Sequence, residues 1–202
     1  ILITSALPYA NGPLHIGHLV EYIQTDVYVR FLRLRGGDVI YCCADDAHGA
    51  PVEIKAIEQG ITPEELIAKY YDEHVRDFNA FGISFDSYYS TNSAENKKYS
   101  DLFFKRLSDG GFIYKKKIKQ TYCGKCGRFL PDRFVRGECP KCGAQEQYGD
   151  VCESCSSTHK TTDLINAKCA LCKSKVTQKE SEHYFFKLSA FSGKLKEWLN
   201  EI

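Results

Sequence analysis

The sequence predicts an α/β domain with a parallel sheet, into which a small, β-rich and cysteine-rich domain is inserted. Two observations support this fold class. An apolar strand, a helix and a second apolar strand follow one another within the first 45 residues, and four C-x-x-C pairs lie close together between positions 123 and 172. A strand-helix-strand unit of this length implies a parallel crossover. Clustered C-x-x-C pairs are typical of metal-binding knuckles in small domains.

The elements of the strand-helix-strand unit are indicated by local signals. Residues 1–6 are apolar and partly β-branched, which predicts the first strand. The turn at 11–13 ends in proline, and a helix is predicted over 14–35 because a glycine pair follows it. The apolar residues 39–44 predict the second, buried strand.

Further elements are predicted along the rest of the chain. Thr62 and Glu65 form a capping box that begins a helix ending near residue 82. Another helix is predicted from Ser93 to the glycine pair at 110–111, and a last one around Trp198.

The change in composition along the chain predicts its domain boundaries. Residues 1–114 are assigned to the α/β domain and residues 115–180, with the cysteine pairs, to the insertion. Residues 181–202 begin with an apolar stretch and are predicted to return to the α/β domain.

Composition excludes some classes of protein. Lys plus Arg is 27 and Asp plus Glu is 26, and this net charge of +1 excludes a purely electrostatic nucleic-acid binder but not a local basic patch. With no basic-apolar leader and no apolar run near the roughly 18 residues of a membrane span, a soluble, cytoplasmic protein is expected. The chain has no methionine, even at position 1, so we expect it to be part of a longer protein.

Two histidines at the start of the first predicted helix indicate a ligand site. His15 and His18 are three residues apart and share a helix face, which Glu21 continues one turn later. Gly17 between them allows a ligand to approach the backbone. Because the site lies at a helix N-terminus and after the first strand, a nucleotide phosphate is the predicted ligand. The alternative is that both histidines are ordinary surface residues.

Further polar residues end the second predicted strand. Asp45, Asp46 and His48 are expected at the same edge of the sheet as the histidines, although an aspartate here could also cap a helix. Cys42 and Cys43 lack the C-x-x-C spacing and are predicted to be buried strand residues.

Three longer strings resemble a known family. They are SALPYANGPLHIGHL at 5–19, CADDAHGAPV at 43–52 and FLPDRFVRGECPKC at 129–142. The first contains a sequence similar to the HIGH signature of class I aminoacyl-tRNA synthetases, and all three resemble the methionyl-tRNA synthetase family of that class. The resemblance implies the first half of a class I Rossmann-like nucleotide-binding domain with a zinc-knuckle insertion.

The resemblance also implies a reaction. Methionine, through its carboxylate, attacks the α-phosphorus of ATP, which is bound with Mg²⁺, to give methionyl-adenylate and pyrophosphate, and the methionyl group then passes to tRNA(Met). The implied catalytic residues are His15, His18 and Asp46. The implied ATP-binding residues are Asn11, Gly12, His15, Gly17, His18 and Glu21, and the implied methionine-binding residues are Ala6, Leu7, Pro8 and Tyr9.

Individual roles follow from the same resemblance. Asp46 matches the family aspartate near the substrate amino group. Leu7 and Tyr9 would pack on the thioether of methionine. The alternative for Leu7 and Tyr9 is core packing at the end of a strand.

The cysteine pairs predict zinc. Eight thiolates are enough for two tetrahedral sites with no open position for water, so the predicted role is structural. The pairs can combine sequentially or in a nested way. The short loop between Cys142 and Cys152 favours nesting, as does the presence of only the inner four cysteines in some synthetases of this kind. Nesting gives one site from Cys139, Cys142, Cys152 and Cys155 and another from Cys123, Cys126, Cys169 and Cys172.

A basic stretch precedes and enters the insertion. Between positions 112 and 136 Asp132 is the single acidic residue, among eight basic ones: Lys115, Lys116, Lys117, Lys119, Lys125, Arg128, Arg133 and Arg136. This stretch either contacts the acceptor end of tRNA or forms a solvated face.

The resemblance is incomplete, because no KMSKS-like second signature occurs in the chain. We therefore expect the missing C-terminal half on further residues or on another chain, and we do not expect residues 1–202 alone to turn over substrate. Two other functions stay open: a class I synthetase for leucine, isoleucine, valine or cysteine, and a non-catalytic zinc-ribbon module that binds tRNA.

Overall fold

The computed structural model describes residues 1–201. The chain divides into two compact units, Ile1–Lys97 and the part from Lys98 onward. This division lies earlier than the predicted boundary at 114/115, and the division into residues 1–114, 115–180 and 181–202 stays a prediction.

The first unit is built on a parallel sheet. Its strands are β1 (Leu2–Thr4), β2 (Ile40–Asp45) and β3 (Ser87–Ser90), in the spatial order β1-β2-β3. β1 pairs with β2 from Leu2↔Ile40, and β2 pairs with β3 from Cys42↔Ser87, both in parallel. The predicted parallel sheet is thus present. The first strand is shorter than predicted, and β3 is a strand that the sequence does not predict.

Three helices connect these strands: α1 (Ile16–Leu34), α2 (Ala50–Gln59) and α3 (Pro63–Ala80). The capping box before α3 forms as predicted, with the Glu65 amide 3.1 Å from Thr62 Oγ1 and the Thr62 amide 2.8 Å from Glu65 Oε2. Helix α2, which is not predicted from the sequence, begins after Gly49 and ends at Gly60 in the left-handed conformation.

The core of the first unit joins α1, α3 and β2. Tyr22 and Val29 from α1 pack with Tyr41 from β2 and with Phe78 from α3, and these side chains are at most 3% exposed. Burying such large apolar side chains stabilises the unit by about 1.5–3 kcal/mol each. The core therefore holds the start of α1 against the ends of the strands.

One carboxylate is buried beside this core. Asp26 on α1 accepts hydrogen bonds from the Ser84 amide at 2.8 Å and from Arg30 Nε at 2.5 Å. Burial raises the pKa of Asp26, but these donors outweigh burial and hold the pKa below its ordinary value. Through its hydrogen bond from Ser84, Asp26 therefore links α1 to the loop that follows α3.

The second unit is built from antiparallel strands. Helix α4 (Ala94–Asp109) begins before the division between the units and leads to a long ladder of β4 (Ile113–Cys123) with β9 (Thr177–Phe186). The ladder runs from Ile113↔Phe186 to Tyr122↔Thr177. The apolar stretch predicted to return to the first domain therefore lies largely within β9 and pairs inside this unit.

The remaining elements of the second unit form around the cysteine pairs. Strand β5 (Arg128–Phe129) pairs with β4, and a separate sheet has the order β7-β6-β8, with β6 at Val135–Glu138, β7 at Gln147–Tyr148 and β8 at Ile165–Cys169. Helix α5 (Ser192–Glu201) contains Trp198 as predicted. None of the helices within residues 1–201 has the length and apolar character needed to cross a membrane.

Candidate active site and metal centres

The histidine pair forms a compact cap on α1. His15 is the N-cap residue with an extended backbone, so the predicted helix start at residue 14 is two residues too early. His15 Nδ1 accepts a hydrogen bond from the Gly17 amide at 3.1 Å, and His18 Nδ1 accepts one from the His15 amide at 3.2 Å. The two rings stack, with centroids 3.7 Å apart.

These hydrogen bonds determine which ring nitrogen carries the proton. An Nδ1 atom that accepts an amide proton has no hydrogen of its own, so in the neutral ring the hydrogen is on Nε2. Burial lowers the pKa of His18, and the neighbouring His15 and His74 lower it further. His18 is therefore neutral near pH 7 and presents Nε2–H as a donor.

Gly17 has a structural role in the cap. Its amide is already bonded to His15, and a Cβ atom at position 17 would lie 3.0 Å from Cε1 and Nδ1 of the His15 ring. The glycine thus makes room for the folded histidine ring. The prediction that it allows a ligand close to the backbone is not tested by this geometry.

The segment after β1 is held by two neighbouring side chains of α1. Glu21 Oε1 accepts the Ala6 amide at 2.6 Å, and the Tyr22 hydroxyl donates to the Ala6 carbonyl at 2.7 Å. Glu21, predicted as an ATP-binding residue, is thus engaged with the predicted methionine-binding segment. Leu7 in this segment is 44% exposed, which argues against the core-packing alternative for it, whereas Pro8 is buried.

Backbone hydrogen bonds link Asp46 to the same segment. The Asp46 amide donates to the Pro8 carbonyl at 2.8 Å, and the Asp46 carbonyl accepts the Ala10 amide at 2.9 Å. Burial raises the pKa of Tyr9, and the negative charge of Asp46 raises it further. The structure thus brings the predicted methionine-binding and catalytic segments together at one edge of the sheet.

The structure adds a buried polar network that the sequence analysis did not identify. His74 on α3 and Asp45 at the end of β2 are at most 1% exposed, and His74 Nδ1 lies 2.7 Å from Asp45 Oδ1. The Tyr88 hydroxyl donates to the same oxygen, and His74 Nε2 lies 2.9 Å from the Gly12 carbonyl oxygen. No sequence signal relates His74 to Asp45, because 29 residues separate them.

Neighbouring residues of the second strand have other roles. His48 is exposed, and its Nε2 lies 3.2 Å from the Thr91 carbonyl oxygen beyond β3. Cys43 is buried, as predicted, and burial raises the pKa of its thiol to about 11. Cys42 is half-buried, and among residues 1–201 neither cysteine belongs to a metal-type cluster.

The eight paired cysteines form two clusters within the second unit. In each cluster the four sulfur atoms all lie within 4.8 Å of one another. One cluster contains Cys139, Cys142, Cys152 and Cys155, and the other contains Cys123, Cys126, Cys169 and Cys172. This is the nested arrangement that the sequence analysis favours.

The spacing of the sulfur atoms fits zinc and excludes disulfides. Zn–S bonds of about 2.3 Å in a tetrahedron put neighbouring sulfurs about 3.8 Å apart. The Sγ atoms are 3.8 Å apart for Cys126 and Cys169 and 3.6 Å apart for Cys142 and Cys152, whereas a disulfide requires about 2.0 Å. Two four-cysteine clusters compatible with zinc are therefore present.

Amide groups and neighbouring thiols change the acidity of the cluster sulfurs. The amides of Cys142 and Lys141 lower the pKa of Cys139 to about 6, and the sulfur atoms of Cys172 and Cys123 raise the pKa of Cys126 to about 12. Because metal-bound sulfurs are deprotonated, binding of a divalent cation would release protons from each cluster.

The predicted basic face is partly neutralised by residues distant in sequence. Strand β9 places Glu182 opposite Lys117 and Glu180 opposite Lys119, and Lys115 Nζ lies 2.8 Å from Glu182 Oε1. These two glutamates offset two of the seven positive charges that the stretch 112–136 leaves unbalanced. Strand β4 is thus partly paired within this unit, and contact between the basic stretch and tRNA stays a prediction.

The comparisons with known proteins agree with this geometry. The family model described as tRNA synthetases class I (M) matches residues 1–202. Methionine–tRNA ligases of Myxococcus xanthus and Acidithiobacillus ferrooxidans are 56% and 54% identical over 200 residues, which cover 99% of this chain. The chain spans only 28% and 30% of the length of these two relatives.

Solved structures of aminoacyl-tRNA synthetases are also similar to this chain. The Mycobacterium tuberculosis methionyl-tRNA synthetase bound by methionyl-adenylate matches with a TM-score of 0.66 and 29% identity, covering 96% of this chain and 34% of that chain. A leucyl enzyme from Agrobacterium radiobacter, in a ternary complex with tRNA, is 19% identical with a TM-score of 0.66, which supports the fold alone.

Proposed function

Because the chain belongs to the class I tRNA synthetases of the methionine type, we propose that the longer protein containing it activates methionine with ATP and charges tRNA(Met). In the first step a methionine carboxylate oxygen forms a bond to the α-phosphorus of ATP, and the bond from that phosphorus to pyrophosphate breaks. In the second step a hydroxyl of the tRNA 3′ end attacks the methionyl carbonyl, and AMP leaves.

The observation that carries the proposal is the fixed orientation of the two histidine rings. With both Nδ1 atoms bonded to amides of the cap, the Nε2–H groups of His15 and His18 are the remaining donors. Negative charge builds on the phosphate oxygens during the in-line transfer, and preorganised donors stabilise such charge. By analogy with other such donors, each is worth about 2.7–4 kcal/mol in the transition state.

The methionine side of the site is proposed to lie along the segment held by α1. Leu7 is exposed, and Tyr9, two residues later in the same segment, is partly exposed, so both side chains are available to contact a thioether. Asp46 is attached through its backbone to Pro8 and Ala10, which supports a role for its carboxylate near the substrate amino group.

The metal content follows from the cysteine clusters. We propose that each cluster holds one structural Zn²⁺ through four thiolates, and that Mg²⁺ enters with ATP as part of the substrate. Such thiolate sites fit a reducing compartment, which supports a cytoplasmic location for the longer protein.

Amino-acid-dependent exchange of labelled pyrophosphate into ATP tests the function. The full-length protein is assayed with each standard amino acid, and exchange is expected with methionine alone. Exchange with leucine, isoleucine, valine or cysteine would identify a sister synthetase. A folded, zinc-loaded protein that exchanges with no amino acid would refute the proposal and favour the non-catalytic binding module.

A further inference from the structure

The buried network around His74 has an unusual set of partners. Both ring nitrogens face acceptors, since Nδ1 lies 2.7 Å from the Asp45 carboxylate and Nε2 lies 2.9 Å from the Gly12 carbonyl. A neutral imidazole has a single N–H and satisfies only one of two acceptors. The arrangement therefore requires the doubly protonated, positively charged ring.

The charge of Asp45 explains why a cation is tolerated there. Its side chain is 1% exposed, and its Oδ2 atom has no hydrogen-bond partner among the described residues. A buried carboxylate needs a compensating charge, and His74 is in contact with it. Burial lowers the pKa of His74, but the hydrogen bonds to Asp45 and Gly12 outweigh burial and raise the pKa above its ordinary value.

The carbonyl that His74 binds belongs to the loop that leads to the histidine cap. Gly12 is three residues before His15, and the nearby Ala10 is bonded to the Asp46 backbone at 2.9 Å. The loop is thus held at two points, one at the end of β2 and one at His74. The second point is a side chain of α3, outside the three strings that resemble the family.

We propose that His74 is a positioning residue, which through its ion pair with Asp45 fixes the Gly12 carbonyl and so places the loop that carries the histidine cap for ATP. This inference rests on the proposed function for the identity of the nucleotide. It does not place His74 in contact with substrate. It predicts that His74 affects the use of ATP more than the use of methionine, because the methionine-side segment is held by Glu21, Tyr22 and Asp46.

The kinetic test uses the full-length protein with His74→Gln, which removes the charge and one of the two donors. We expect the KM for ATP in pyrophosphate exchange to rise about tenfold, as for a lost hydrogen bond to a charged group, while the KM for methionine changes by less than about twofold. Ile83→Ala is the matched control, because Ile83 is 7% exposed in the core and makes no polar side-chain contact. It should lower stability without changing either KM.

A second measurement is independent of activity. In hydrogen–deuterium exchange, His74→Gln should make the amides of Ala10, Asn11, Gly12 and Leu14 exchange about tenfold faster, with no matching change in Ile83→Ala. Unchanged exchange in this loop, or an equal rise of both KM values, would overturn the proposal. Faster exchange in a protein whose wild type lacks methionine-dependent activity would leave the positioning intact and refute the proposed function instead.

The wild-type protein provides a test that needs no variant to fold. Nitrogen-15 NMR of labelled histidine, with the His74 signal assigned through its proximity to the Tyr70 ring, should show two protonated ring nitrogens near neutral pH. A neutral His74 ring would overturn the proposal by itself, because one acceptor would then face a nitrogen without a proton.

Discussion

Two substitutions at His18 should separate the capping role of its ring from its proposed catalytic role. Asn places an oxygen where His has Nδ1, counted in bonds from Cα, and so keeps the acceptor for the His15 amide while removing Nε2–H. Ala removes both the acceptor for the His15 amide and Nε2–H. The 3.2 Å contact from the His15 amide to His18 Nδ1 is the interaction that distinguishes the two variants.

The catalytic and the capping contribution of His18 have different expected free energies. Loss of the Nε2–H donor in His18→Asn should lower kcat for pyrophosphate exchange about 10²–10³-fold, which corresponds to about 2.7–4 kcal/mol of transition-state stabilisation. Loss of the cap in His18→Ala should lower the free energy of unfolding by about 1 kcal/mol relative to His18→Asn, because one exposed hydrogen bond at the helix start is lost.

The assays are pyrophosphate exchange and urea unfolding of the full-length protein with each variant. We expect kcat to fall to a similar extent in both variants, and His18→Asn to be more stable than His18→Ala. If His18→Asn keeps wild-type kcat while folded, the Nε2–H donor has no catalytic role and the assignment fails. If both variants are equally stable, the cap seen in the structure does not contribute to folding.

Three further predictions concern metal content and stability. The double variant Cys126→Ser with Cys172→Ser should retain about half of the wild-type zinc by elemental analysis, since nesting puts both residues in one cluster; loss of all zinc would indicate sequential pairing. Asp26 has a lowered pKa, so its stabilisation is present above its unfolded pKa of about 3.9 and is lost as pH falls through the folded value. In acid denaturation the stability advantage of wild type over Asp26→Asn should therefore shrink below about pH 4, and a constant difference would contradict this. Gly49→Ala should lower the free energy of unfolding by about 1–3 kcal/mol in urea titration, because Gly49 has φ of 120° and a Cβ would collide with the Tyr9 hydroxyl; an unchanged midpoint would show that the turn relaxes.

Features that depend on close sequence spacing were predictable. The capping box of Thr62 and Glu65 forms because its residues lie within one helical turn. The cysteine clusters could be grouped because each C-x-x-C pair is a local unit, and loop length then favoured one of the two pairings. The strand-helix-strand unit was also readable, apart from the exact residues at its ends.

Features that depend on tertiary neighbours were not predictable in the same way. The sequence shows a basic stretch, but Glu180 and Glu182 meet it only through the register of a ladder that joins residues more than 60 positions apart. Similarly, His74 looks like any helix residue until α3 packs against the end of β2. The third strand, Ser87–Ser90, has too few apolar residues for its alternation to be distinctive.

The cap on α1 makes the HIGH-like tetrapeptide a self-contained unit. The ring nitrogens of His15 and His18 are oriented by amides that belong to the same four residues, and Gly17 provides the space that the stacked rings need. Ring orientation therefore requires no side chain from elsewhere in the protein. Placed at the start of an unrelated helix, these four residues are expected to form the same cap. The surrounding fold determines where the two rings point.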